Sequence, residues 1–165
     1  MGQSLNSETL RFAERVSVEM IELGQELAPR FDADGLIPVI TCEAESGDVL
    51  MLGHMSPEAL RLTLATGEVH YFSRTRQALW RKGEHSGFVH RLVELRVDDD
   101  QDCLLARVAL EGPGSCHVGF YSCFYRAVDR DALAADGIVR LRRIEDEAAF
   151  DAGTVYRGLP NPTLI

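Results

Sequence analysis

The spacing of apolar residues changes along the chain. Leu10, Ala13, Val16, Met20, Leu23 and Leu27 recur every three or four positions. That predicts a first helix with one apolar stripe, capped by Asn6 or Ser7 and ended by Pro29. From residue 36 the period shortens. Residues 36–42 read as a strand, with Pro38 placing it near an edge or a bulge. Ser46-Gly47-Asp48 is turn chemistry, and residues 49–53 return as a second strand. Ser56-Pro57-Glu58 opens a helix filled by Leu60, Leu62, Leu64 and Ala65 and ended by Gly67.

Residues 69–73 alternate as a strand. The polar stretch 74–87, which holds the only tryptophan, Trp80, reads as a long binding loop. Residues 89–97 and 104–110 are strand-like with an acidic run as the turn between them, and 122–128 reads as a further strand. A short helix is expected near 130–135, and Pro160 and Pro162 make the tail irregular. The chain shows no repeats, no low-complexity segment and no clear domain boundary.

Composition narrows the function. The 165 residues and 45% apolar content suit one folded domain. No apolar run approaches the roughly 18 residues that cross a bilayer, so no membrane partner is expected. The N-terminus lacks a basic region followed by an apolar one, so a cytoplasmic location is the expectation. A net charge of −9 argues against nucleic-acid binding. It leaves room for an anionic small molecule, and Arg74, Arg76, Arg81 and Lys82 form a local basic cluster for a phosphate.

The candidate chemistry sits in residues 98–123. Asp98, Asp100 and Asp102 lie two apart, which in an extended segment places three carboxylates on one face about 7 Å per step. Mg²⁺ is the natural partner of such a face, and a solvated hairpin tip is the plainer reading. Cys116-His117 and Cys123 flank Gly119. Two thiolates with a third ligand and a water suit a catalytic zinc site, and two buried small hydrophobes are the plainer reading. His117 is then the group that can move a proton. Cys42 reads as core, His54 and His70 as packing or surface residues, and His85 and His90 bracket the Ser86-Gly87 turn as candidate ligand contacts.

Many short motifs in order resemble the phosphoribosyl-AMP cyclohydrolase family of histidine biosynthesis. They are Gly35-Leu36-Ile37-Pro38, Gly53-His54-Met55-Ser56-Pro57-Glu58, Tyr71-Phe72-Ser73-Arg74-Thr75-Arg76, Leu79-Trp80-Arg81-Lys82-Gly83-Glu84, Cys116-His117 and Ser122-Cys123-Phe124-Tyr125-Arg126. The resemblance covers about residues 36–128 and implies an α+β fold, a single domain with mixed or antiparallel sheets and flanking helices, forming an interwoven homodimer with a metal site at its interface. The expected organisation is then an N-terminal helical extension over 1–34, a catalytic unit over 35–128 and a C-terminal extension over 129–165 packing on it. The resemblance also implies Mg²⁺ on Asp98, Asp100 and Asp102, and Zn²⁺ on Cys116, Cys123 and a third cysteine within the acidic motif. Where that cysteine is expected this chain has Asp99, and a cysteine stands four residues later at Cys103. Asp99 is the favoured third ligand. Cys103, or His117 or water beside the two cysteines, are the alternatives. An oxygen ligand tilts selectivity towards Mn²⁺, Fe²⁺ or Co²⁺, as in a divergent paralogue with an altered zinc site.

The implied activity is opening of the adenine ring of 1-(5-phosphoribosyl)-AMP at N1–C6 by a metal-activated hydroxide. His117 would move the proton, and Arg74, Arg76, Trp80, Lys82 and Ser86 would bind the nucleotide. The rivals are a metal hydrolase acting on another purine-like nucleotide and a nucleotide-binding paralogue without turnover.

Overall fold

The computed structural model describes residues 6–131 and 136–164. Its centre is a four-stranded sheet in the order β2-β1-β6-β5, formed by β1 (Ile37–Glu43), β2 (Val49–Met55), β5 (His90–Val97) and β6 (Leu104–Leu110). β1 runs parallel to β6, and the other pairs in that sheet are antiparallel. Two further two-stranded sheets join β3 (His70–Ser73) to β4 (Ala78–Arg81), and β7 (Arg126–Val128) to β8 (Leu141–Arg143). With few helices, this is the expected α+β domain of mixed and antiparallel sheets.

α2 (Pro57–Thr66) forms as its sequence signals require. The Ser56 side chain accepts from the Ala59 N–H at 3.1 Å, and Pro57 sits in the first turn. Gly67 ends the helix at φ 70°, a left-handed conformation that a β-carbon disfavours. The helix buries Ala59, Leu60 and Thr63 against Ile37, Val39, Leu50, Leu104 and Val108. Thr63 also accepts from the His70 N–H at 2.9 Å, tying α2 to β3. Cys42 is buried, as expected of a core position.

Three expectations need correction. The first helix is confined to α1 (Val18–Leu23), with a single 3-10 turn at Ser7–Thr9. Residues 10–16 fold back instead, with the Ala13 N–H on Leu27 O at 2.8 Å and Arg15 reaching Ala28 O at 2.5 Å. The six apolar residues do not form one buried stripe, since Val16 and Leu23 are exposed, and bonds to Leu27 and Ala28 override the helical period. The long loop 74–87 contains β4, which pairs residue by residue with β3 and places Tyr71 opposite Trp80. The strand expected over 122–128 is shortened to β7, because Ser122 and Cys123 bond out of register, to Val49 O and Leu50 O. The helix expected near 130–135 falls on 132–135, outside the described residues. The last regular element is α3 (Ala152–Val155), and the tail beyond it is irregular.

Candidate active site

The β5–β6 turn brings the three aspartates together more tightly than an extended segment would. Asp99 and Asp100 occupy a turn, Gln101 adopts φ 57°, and the Asp98 carboxylate accepts the N–H groups of Asp102 and Cys103, each at 3.0 Å. One carboxylate oxygen each from Asp98, Asp100 and Asp102 lie within 4.8 Å of one another. That set of hard oxygens fits a divalent cation such as Mg²⁺. Arg30 already meets Asp100 and Asp102 there, and its hydrogen bond holds the Asp102 carboxyl below the usual range. Strand alternation does not run through this turn, so spacing along the chain does not set how Asp99 and Cys103 face. Asp99 is exposed. Burial, then the charges of Asp98 and Asp102, push the Cys103 thiol up, so it is poorly disposed to be a thiolate.

The turn is stitched to the N-terminal segment, which sequence reasoning missed. The buried Gln101 side chain accepts the Ala28 N–H at 2.7 Å and donates to Ile21 O at 3.0 Å. Arg15 adds a bond to Asp100 O at 2.8 Å. A lone glutamine among aspartates gives no sequence signal of this kind.

The thiol loop lies elsewhere. Cys116 and Cys123 face each other closely enough for a side-chain hydrogen bond. The hydrogen bond from Cys123 holds the Cys116 thiol down to about 6, helped by the N–H groups of Val118 and Phe120 and by Lys82, against the cost of burial. The same bond, with burial, pushes Cys123 up. The pair therefore loses its first proton at Cys116 near neutral pH, as a thiolate site for a borderline metal requires. Among the described residues, no third histidine, cysteine or carboxylate joins the two sulphurs in a three-ligand group.

Two devices hold this loop. Gly119 sits at φ 107°, and a β-carbon there would come within 2.6 Å of Phe150 O. Glu145 accepts the N–H groups of Tyr121 at 2.9 Å and Ser122 at 3.0 Å. Behind the loop runs a buried polar chain. Thr41 meets the Tyr71 hydroxyl at 2.7 Å, Tyr71 meets His90 Nδ1 at 3.0 Å, and His90 Nε2 meets Ser115 Oγ at 3.0 Å. Burial, and then the charge of Lys82, lower His90 to about 3, so it is neutral in this chain of hydrogen bonds. His90 is thus a buried structural group; His54 and His85 instead face a cleft.

That cleft has a volume of about 760 Å³, and all six expected nucleotide and proton-transfer residues line it: Arg74, Arg76, Trp80, Lys82, Ser86 and His117. Among the described residues, Arg74 and Arg76 form no ion pair, whereas Arg81 is held by Glu68 at 2.7 Å. Lys82 is buried, and its ammonium donates to Ser115 O at 2.5 Å. Its charge therefore acts mainly on the thiol pair. Trp80 already packs on Tyr71, with ring centroids 5.1 Å apart, and the Arg76 guanidinium lies 5.6 Å from its ring. His117 is half-buried, and burial lowers its basicity.

Comparison with known proteins points the same way. A family model described as phosphoribosyl-AMP cyclohydrolase matches residues 51–125. A phosphoribosyl-AMP cyclohydrolase of Rhodopseudomonas palustris (strain BisB18) is 49% identical over 141 residues, covering 86% of this chain and 94% of the relative. One from Bradyrhizobium sp. (strain ORS 278) is 52% identical over 129 residues, covering 78% and 96%. Another from Rhodopseudomonas palustris (strain ATCC BAA-98 / CGA009) is 43% identical over 152 residues, covering 92% and 99%.

Proposed function

The chain belongs to the phosphoribosyl-AMP cyclohydrolase family, and from that premise we infer how its two candidate centres and its cleft divide the work. It is a hydrolase of histidine biosynthesis that opens the adenine ring of 1-(5-phosphoribosyl)-AMP. One water adds across N1–C6: its oxygen joins C6, the N1–C6 bond breaks, one of its protons ends on N1 and the other on the exocyclic nitrogen, leaving a carboxamide at C6.

The observation that carries the site assignment is the thiol pair of Cys116 and Cys123 next to His117, whose ring lines the cleft with Arg74 and Arg76. Cys116 and Cys123 would hold Zn²⁺ or a substitute among Mn²⁺, Fe²⁺ and Co²⁺. When bound, such an ion supplies a water with a pKa near 7 and balances charge developing at C6. Asp98, Asp100 and Asp102 would hold Mg²⁺, which supplies charge for the substrate phosphates.

The side chains then take the following roles. Arg74 and Arg76, free of carboxylate partners, receive the phosphates. Ser86 lines the same wall and offers a hydroxyl. Trp80 supports Arg76 and the base side of the cleft. Lys82 keeps the thiol loop electropositive, which favours the thiolates. His117 lies next to a metal ligand and inside the cleft, where it can carry the proton to N1.

The incomplete thiol pair favours a third ligand from a second copy of the chain. Exposed Asp99 on the β5–β6 turn is the candidate, and its carboxylate favours metals harder than zinc. A homodimer also accounts for exposed Leu52 on β2 and Phe124 beside Cys123. The catalytic unit is then 35–128, with both extensions packed on it. No helix is long and apolar enough to cross a membrane. A cytoplasmic place fits a biosynthetic enzyme of small nucleotides.

Complementation of a histidine auxotroph blocked at this ring-opening step tests the function in a cell. Growth restored by the full chain and lost with Cys116→Ser is the expected outcome. Failure of the full chain to restore growth, with the protein present, contradicts it.

A further inference from the structure

The cleft has a wall that no motif in the sequence announces. The segment after β8 returns along the thiol loop, with Ala149 N–H on Gly119 O at 2.7 Å. Phe150 then packs on Phe88, with ring centroids 4.9 Å apart. Beyond this anchor, Tyr156, Leu159, Pro160, Asn161 and Pro162 line the cleft together with His117 and Val118. All five lie outside residues 51–125, the stretch matched by the family model.

The charge of the lining is one-sided. The β3–β4 hairpin brings the cations Arg74 and Arg76 beside Tyr71, Phe72 and Trp80, and the tail brings an uncharged face of one aromatic ring, aliphatic carbon and one amide. A nucleotide has the same two parts, anionic phosphates and a flat, weakly polar base. The tail is also joined to the group that must sit beside the base. The Asn161 side chain hydrogen-bonds His117. Thr163 Oγ1 lies 3.4 Å from His117 Nε2, and the Thr163 N–H is held by Asn161 Oδ1 at 2.9 Å. Tyr156 makes a side-chain hydrogen bond to Ser86 on the opposite rim.

We propose that Tyr156, Leu159, Pro160 and Pro162 form the wall against which the purine ring lies, and that Asn161 between them is a positioning residue that aims His117 at that ring. The proposal rests on the cyclohydrolase reading above. His117 must be within hydrogen-bond reach of the ring nitrogen it protonates. A ring placed there touches whatever flanks His117, and on that side the flank is the tail. Asn161 acts only through His117 and so affects turnover. Tyr156, Leu159 and the prolines contribute contact area and so affect affinity.

The experiment compares the full chain with a version ending at Val155, which keeps the Phe150 anchor, and with Asn161→Ala, Tyr156→Ala and Tyr156→Phe. Each is assayed for ring opening and, by calorimetry, for binding of AMP. The tail-less chain and Tyr156→Ala are expected to weaken AMP binding and raise KM by about tenfold, the loss of roughly 1.4 kcal/mol of contact. Tyr156→Phe keeps the ring and should restore most of that affinity. Asn161→Ala should lower kcat about tenfold with KM and AMP affinity within twofold, because the amide orients a proton carrier rather than holding substrate. If the tail-less chain fails to fold, the point variants decide.

Values within twofold of the full chain for all folded variants overturn the proposal, as does a full chain that does not bind AMP. A full chain that binds AMP but opens no ring refutes the catalytic reading, and the binding comparison still decides the wall.

Discussion

At the residue scale, the chemistry rests on a few side chains whose surroundings set their charge. The hydrogen bond between Cys116 and Cys123 favours the thiolate at Cys116 and the thiol at Cys123, so the pair offers one thiolate ready for a metal. Replacing Cys116 by serine should cost activity at least about 100-fold, more than is typical for groups one shell further out. Metal content measured on the same samples should fall with it; unchanged metal content would separate the thiol from the metal site.

Arg30 offers a second test. It competes with any cation for Asp100 and Asp102, so Arg30→Gln should tighten Mg²⁺ binding in a calorimetric titration. Weaker binding would mean that Arg30 builds the site rather than competing for it.

His90 makes a prediction about stability. Its folded value is lowered to about 3 from an ordinary 6.5, so below pH 6.5 the unfolded chain takes up a proton that the native chain refuses. This contribution is complete above pH 6.5 and is lost as pH falls towards 3, by up to about 1.4 kcal/mol per pH unit. Urea titrations at pH 7 and pH 5 should show the loss, and His90→Gln should flatten it. The sequence offered His117, Cys116 and Cys123 as candidates chiefly through the family resemblance, since their spacing alone is a modest signal. His90 was not legible, because whether a histidine faces a cleft or a core depends on partners distant in sequence, here Tyr71 and Ser115.

At the element scale, local signals were trustworthy where they were self-contained. Ser56, Pro57 and Gly67 bound α2 as expected, since a cap needs only its own neighbours. Ser56→Ala should cost about 1 kcal/mol of stability, read as a lower melting temperature without loss of helix content. The first helix failed for the opposite reason. Residues 10–16 are tied instead to Leu27 and Ala28, Val16 and Leu23 lie exposed, and the capped starts at Asn6 and Ser17 support only a single turn and Val18–Leu23. β4 was hidden because Arg76 to Arg81 is rich in charge; its pairing with β3 buries Tyr71 against Trp80 instead of a continuous apolar run. The acidic run is the turn between β5 and β6, as expected; the single carboxylate face that spacing by two would give an extended segment is replaced by a turn that the Asp98 carboxylate closes.

At the scale of the whole molecule, the α+β class and the family followed from the order of motifs, while the assembly of the site did not. The tail and Glu145 come from the C-terminal extension, yet they reach the cleft and the thiol loop. Nothing in their local sequence encodes a contact with residues some 25 to 45 positions away. The thiol pair also lacks a third ligand within one described chain.

If Asp99 of a second copy completes it, Asp99→Ala and Cys116→Ser should each be inactive alone and recover activity when refolded together. Random pairing in a two-fold dimer should restore roughly a quarter of the native rate. Absence of recovery, with mixed dimers demonstrated by tagged subunits, would place the third ligand within the chain.

The most direct measurement follows ultraviolet absorbance as the purified full-length protein, reconstituted in turn with Zn²⁺, Mn²⁺, Fe²⁺ and Co²⁺ in the presence of Mg²⁺, is given 1-(5-phosphoribosyl)-AMP. The account predicts ring opening with at least one of these metals and its loss in Cys116→Ser. An unchanged spectrum with every metal, or a Cys116→Ser variant that opens the ring as fast as the native chain, would contradict it.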